Sequence, residues 1–184
     1  AELRTVSTRA EITPTRFWNE YHWGDFKGDA TKLVARYFDA HLYFANWGTR
    51  RLMLRLPSNH VTTKSLRPYF VGGAARASST GGCVIVDLCS DEEGSDYYAE
   101  ADDGLLTALT PLRTELMCGD FRVAYLAWLL ALQAGEVEED ATEPPLPPDL
   151  SNLTAAQQAM VDFLRLDRDR SQLHGRRRER RHLE

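Results

Sequence analysis

The chain has 184 residues, 43% of them hydrophobic and 27% charged, and a formal net charge of −5. That length suits one domain with an appendage, and such a domain buries roughly 70% of its unfolded surface without a metal or disulfide scaffold. Cys83, Cys89 and Cys118 have no Cys-x-x-Cys spacing, which excludes a zinc-finger pattern and fits a reducing, cytoplasmic setting; neither a membrane-spanning stretch nor a secretory leader is recognised.

The charge is unevenly spread. Residues 1–80 carry twelve Lys/Arg against six Asp/Glu, residues 81–167 carry three against eighteen, and residues 168–184 carry seven against three. The polarity can bring the two halves together, or it can leave a basic face for an anionic partner.

Residues 2–10 have helical propensity. Ile12–Trp23 has the β-favouring composition of a strand, with Phe17, Asn19, Tyr21 and Trp23 on one side, and Gly24-Asp25 and Gly28-Asp29 mark a turn. Asp29 then suits the N-cap of one long amphipathic helix. Leu33, Tyr37, His41 and Phe44 form one row of its apolar face and Val34, Phe38, Leu42 and Ala45 the next, with Gly48 as its C-cap. Arg51–Leu56 alternates at period two as a strand with Leu52, Leu54 and Leu56 inward, and Pro57 ends it.

Thr63–Arg67 reads as a turn of helix before Pro68, Gly72-Gly73 as a loop, and Ser78–Gly82 as a flexible connection. Cys83–Cys89 is a β-branched run that predicts a buried central strand, with an acidic loop after it. Leucines from Leu105 to Leu116 predict helices restarted at Thr110-Pro111. Phe121–Ala134, apolar nearly all round and stopped by Gly135, predicts a central helix. The organisation expected is one α+β domain over 1–143, a polyproline spacer over 144–148, a C-terminal helix over 149–167 capped by Ser151 or Thr154, and a basic tail over 168–184. The fold expected is a small sheet of about three strands, covered by helices on one face, with a helical C-terminal half.

Three segments, STRAEITPTRFWNEYHWGDFKGD, YFDAHLYFANWGTRRLMLRLP and QAGEVEEDATEPPLPP, resemble a bacterial family of uncharacterised proteins with no assigned function. The resemblance spans most of residues 2–166. It implies a bacterial, cytoplasmic protein and carries over no catalytic residue.

Chemistry-bearing residues are sparse. Glu20, His22, Asp25 and Asp29 lie beside Tyr21 and Trp23, and a histidine among carboxylates can shuttle protons or bind a metal. Their spacing matches no metal-ligand pattern, and Asp29 is already explained as a cap. His41, on the apolar side, reads as a satisfied core histidine. Trp47 beside Arg50 and Arg51 could stack on a ring and neutralise a phosphate or carboxylate; against this, Trp47 plugs a corner while the arginines pair with the acidic half. Neither Gly72-Gly73 nor Gly81-Gly82 opens a phosphate loop. Asp87, Asp91, Glu92, Glu93 and Asp96 lack a calcium-loop arrangement and read as a solvated acidic loop. The acidic body argues against nucleic acid as a partner of the arginine-rich tail. No cofactor or metal is called for.

The function expected is a non-enzymatic protein-interaction module that uses Tyr21, His22, Trp23, Asp25, Trp47, Arg50 and Arg51, because aromatic density with arginine is the composition of interface anchors. The alternative is an enzyme or small anionic-ligand binder with a pocket near His22, Asp25, Trp47 and Arg50.

Overall fold

The computed structural model describes residues 11–12, 17–18, 29–45, 48–91, 103–138 and 140–167. Two short strands, β1 (Glu11–Ile12) and β2 (Phe17–Trp18), pair antiparallel, with Ile12 opposite Phe17. Helix α1 (Ala30–Tyr37) leads into β3 (Ala40–Phe44), β4 (Thr49–Pro57) and the short helix α2 (Thr63–Leu66). The hairpin of β5 (Ala75–Thr80) and β6 (Cys83–Asp91) follows. Helices α3 (Asp103–Leu109), α4 (Pro111–Met117), α5 (Arg122–Gln133) and α6 (Ala155–Phe163) make up the C-terminal half. The main sheet is antiparallel and has four strands rather than three, in the order β3-β4-β6-β5. None of the described helices is long and apolar enough to cross a membrane.

The fourth strand comes from a segment expected to be helical. Asp29 does cap α1, its carboxylate accepting the Lys32 N–H at 3.1 Å, but the helix stops at Tyr37 and Phe38 is extended. No glycine or proline marks the break. Arg55 of β4 makes it: its backbone N–H donates to the Asp39 carbonyl (2.8 Å), and its guanidinium donates to Asp39 Oδ1 (2.8 Å) and to the carbonyl of Ala35 (3.3 Å). A carbonyl left over at the helix end is thereby satisfied, and the chain is steered into the sheet. The apolar residues from His41 to Phe44 fit a helical row or a strand equally well, and pairing with β4 decides between them. Gly48 consequently sits in the β3–β4 turn rather than at a helix end.

The alternation in β4 sorts its side chains to two faces. Leu52, Leu54 and Leu56 lie opposite Leu88, Val86 and Val84 of β6, and all six join the main core formed with α4, α5 and α6. Met53 and Ile85 point the other way and pack on Val34 of α1. Helices therefore cover both faces of the sheet, not one as expected from the sequence. Helix α5 is the centre of the larger layer, with every residue from Val123 to Ala131 buried.

The proline run lies against the body. Pro144 and Pro147 are buried, Leu146 packs on the main core, and the Tyr69 hydroxyl donates to the Pro145 carbonyl at 2.9 Å. Helix α6, capped by Thr154, adds Met160, Val161 and Leu164 to the same core. It is fastened by polar contacts as well. The wholly buried Gln157 donates through Nε2 to Glu115 Oε2 (2.8 Å) and Asp120 Oδ2 (3.1 Å), and its Oε1 accepts the Thr154 N–H (3.2 Å). Arg122 binds the same Asp120 carboxylate through Nε and Nη2.

Candidate functional site

Of the residues singled out from the sequence, Tyr21, His22, Trp23, Asp25 and Trp47 lie outside the described residues, as do Glu20, Glu92, Glu93 and Asp96. Arg50 and Arg51 are described, and the structure does not present them together. As neighbours in β4 they leave on opposite faces. Arg50 runs into the helical layer, is 5% exposed, lies over the Phe44 ring at 5.3 Å and donates from Nη1 to the Phe163 carbonyl (3.4 Å). Arg51 emerges on the α1 face and grips Asp87 of β6 with two parallel bonds, Nε to Oδ1 at 2.7 Å and Nη2 to Oδ2 at 2.6 Å. That hydrogen-bonded carboxylate raises the Arg51 pKa above its ordinary value, outweighing partial burial. Arg50 is thus buried, and Arg51 is paired with a carboxylate of the acidic half, as the second of the two readings of this pair has it. His41 is buried on β3, as a core histidine should be, although on a strand rather than a helix.

The structure instead forms a cleft of about 540 Å³ at the end of the β5–β6 hairpin. It arises because the two strands are unequal. Strand β6 runs on through Cys89, Ser90 and Asp91, still paired with β4, whereas β5 begins only at Ala75, opposite Leu88. The chain at Gly72–Ala74 bends away towards the C-terminal end of α5. Gly135 stops that helix with φ 73°, and the Glu136 N–H turns back to the Ala131 carbonyl at 3.0 Å. Glu136 is thereby placed so that its Oε2 accepts the N–H groups of Gly73 (2.8 Å) and Ala74 (2.7 Å). A notch is left between the tip of β6 and the last turn of α5, where Gln133 and Ala134 line it.

Two charged side chains at this notch stand apart from the rest. Arg76 of β5, opposite Asp87, and Asp91 at the end of β6 lie on the same sheet face, are exposed, and make no hydrogen bond or ion pair among the described residues. The other charges there are committed: Arg51 to Asp87, and Glu136 to two backbone amides. The Cys89 thiol in the wall is pushed up to about 11, first by burial and then by the charge of Asp91, so it is protonated at neutral pH and a poor nucleophile. No group of three His, Cys, Asp or Glu able to hold a metal ion occurs among the described residues. The arrangement suits binding of a ligand that carries complementary charges.

The sequence marks Arg51, Asp87, Asp91 and Gly72-Gly73 only separately and does not single out Arg76, Gln133 or Glu136. The available signal was Arg76 itself, a lone charge in the small-residue run Ala74–Thr80.

The glycines of the loop give a test of its geometry. Gly72 has φ 70°, and a Cβ there would lie 2.7 Å from Glu136 Cβ, so strain and a backbone-anchored clash add together. A Cβ on Gly73 would meet only side-chain ends, Arg76 Nη2 and Glu136 Oε1, each at 2.9 Å. Urea unfolding is expected to show a loss of about 2–3 kcal/mol for Gly72→Ala and under about 1 kcal/mol for Gly73→Ala. Equal losses would show that the Glu136 latch does not set the loop.

No family model matches the chain, and no significant match is found to a curated protein or to a solved structure.

Proposed function

We propose that this protein is a binding module whose recognition site is the β5–β6 notch. Its ligand carries an anionic group for Arg76 and a cationic or hydrogen-bond-donating group for Asp91. The supporting observation is the pairing of two opposite, internally uncommitted charges on one face of a walled cleft in which Arg51 and Asp87 neutralise each other and Glu136 is held by two backbone amides. An exposed charge without a partner costs nothing in water; two of opposite sign beside a cavity create a potential that orients a dipolar ligand. A protein segment and a small anionic or zwitterionic molecule both meet this description. The reading moves the binding surface from the segment around Trp47 to the β5 side of the C-terminal end of β6. Three free cysteines and the resemblance to a bacterial family support a cytoplasmic setting in a bacterium.

Calorimetric titration of the full chain with amino acids, dipeptides, phosphate and sulfate tests it. Arg76→Ala and Asp91→Asn are each expected to weaken a zwitterionic ligand about tenfold, near 1.4 kcal/mol. Arg67→Ala, at an exposed arginine outside the notch, should leave it unchanged. Binding indifferent to Arg76→Ala, or no binding across the panel and across short peptides, would overturn the proposal.

A further inference from the structure

We infer that the ligand of the notch is a single basic α-amino acid with both its ammonium and its carboxylate free. This rests on the notch being the binding site and goes on to name the ligand class. The Glu136 carboxylate is only half used. Its Oε2 is fixed by the N–H groups of Gly73 (2.8 Å) and Ala74 (2.7 Å), while its Oε1 accepts no hydrogen bond among the described residues. Oε1 and Arg76 Nη2 each come within 2.9 Å of the place a Cβ on Gly73 would take, so they are neighbours, yet they form no ion pair. A lone anion at Arg76 would meet the charge of Glu136, and a lone cation at Glu136 would meet that of Arg76. An α-amino acid avoids both penalties. One carbon joins its ammonium to its carboxylate, so the first donates to Oε1 while the second accepts from the guanidinium. A residue at either end of a peptide lacks one of these two charges.

Asp91 sets the side chain. The Cys89 N–H still reaches the Ala74 carbonyl at 2.8 Å, and Asp91 lies two residues further along β6, about 7 Å at the rise of a strand. A lysine or arginine side chain covers that distance. It brings a cation to an exposed carboxylate that has no partner among the described residues. The charges then match in number as well as in place. With Arg51 and Asp87 neutralising each other, Glu136, Asp91 and Arg76 leave one negative charge, and a basic amino acid carries one positive charge.

Ser90 points to a ligand independently of these charges. It lines the cleft from the helical face, is only 6% exposed, and its hydroxyl makes no hydrogen bond among the described residues. A buried hydroxyl left without a partner costs stability, and a polar ligand atom in the cleft removes that cost.

The test is calorimetric titration of the full chain with L-lysine, its Nα-acetyl form, its α-amide, and norleucine, which lacks the side-chain cation. Free lysine is expected to bind about tenfold more tightly than each of the other three. Each difference should vanish in one variant. Glu136→Gln, which keeps an oxygen for the two backbone amides, removes the effect of acetylation, Arg76→Ala that of amidation, and Asp91→Asn the preference over norleucine. Lysine bound no more tightly than its acetyl form on the wild-type chain, or no more tightly than norleucine, overturns the inference. So does an acetylation effect untouched by Glu136→Gln. Binding of phosphate, sulfate or dipeptides that Arg76→Ala abolishes, without binding of lysine, overturns it too while leaving the notch as a site. Absence of all binding overturns the inference and the notch reading together.

Discussion

Replacing Gln157 with glutamate is expected to cost about 3–5 kcal/mol of stability at neutral pH, and replacement with leucine about 2–3 kcal/mol. One amide nitrogen of Gln157 serves two carboxylates, Glu115 at 2.8 Å and Asp120 at 3.1 Å, while its oxygen closes the capping box on Thr154. Leucine removes these bonds, leaves partly buried acceptors short of a donor, and weakens the cap of α6. Glutamate keeps an oxygen for the Thr154 N–H, as a capping box allows, but loses both donor bonds and brings a third negative charge into hydrogen-bonding distance of the first two. The Asp120 carboxyl is held below its ordinary pKa, chiefly by its hydrogen bonds from Arg122, with Gln157 adding to the effect. A depressed carboxylate contributes stability above its unfolded pKa that is lost as pH falls through the folded one. Urea midpoints of wild type and both variants at pH 7 measure the cost. A glutamate variant no weaker than the leucine variant would show that the carboxylates are not coupled through this amide.

The second large effect is a loss of stability in mild acid, traced to His41. This ring is buried on the α1 face of β3, opposite Met53, and its pKa is lowered from 6.5 to about 4. Burial is the main cause, the Arg51 charge adds to it, and Asp87 opposes both. The unfolded chain therefore binds a proton between these two values while the native protein does not. Stability is fully present above about pH 6.5 and falls as the pH drops towards 4, by about 2–3 kcal/mol at pH 4.5. The depressed carboxylates Asp29 and Asp120 start from 3.8, so their losses come at lower pH and leave this window to the histidine. His41→Gln should flatten the profile between pH 7 and pH 4.5, whatever it does to stability at pH 7. A slope unchanged in that variant would assign the acid sensitivity to another group.

Both effects concern residues whose surroundings the sequence does not display. It does display β4 and β6, through the alternation of Leu52, Leu54 and Leu56 and the β-branched run at Val84–Val86. It also displays α5, where apolar residues on every side can only mean a central position. Strand β3 is not legible because His41–Phe44 satisfies both periods and the break before it is made by Arg55, sixteen residues away from Asp39. Strand β5 is not legible because Ala75–Thr80 is small and polar, with no apolar alternation; it is a strand because β6 offers it a ladder. The notch draws on residues from Arg51 to Glu136, so no local motif could announce it. Arg50 and Arg51 are instructive in the opposite sense. Their adjacency looks like a patch, yet in a strand adjacency is what separates them.

The position of α6 has a consequence for synthesis. The sheet is complete once Asp91 has been made, but Leu52, Leu54 and Leu56 rest on a layer finished by Met160 and Leu164. At ribosomal rates of about 5–20 residues per second, the intervening stretch takes roughly 4–15 s to emerge. Until α4 and α5 emerge the nascent chain carries a paired sheet with one bare apolar face, and until α6 emerges those helices lack part of their own cover. This makes the N-terminal half a client for chaperones that recognise exposed hydrophobic strands, and it makes premature termination before α6 a route to aggregation rather than to a smaller folded protein.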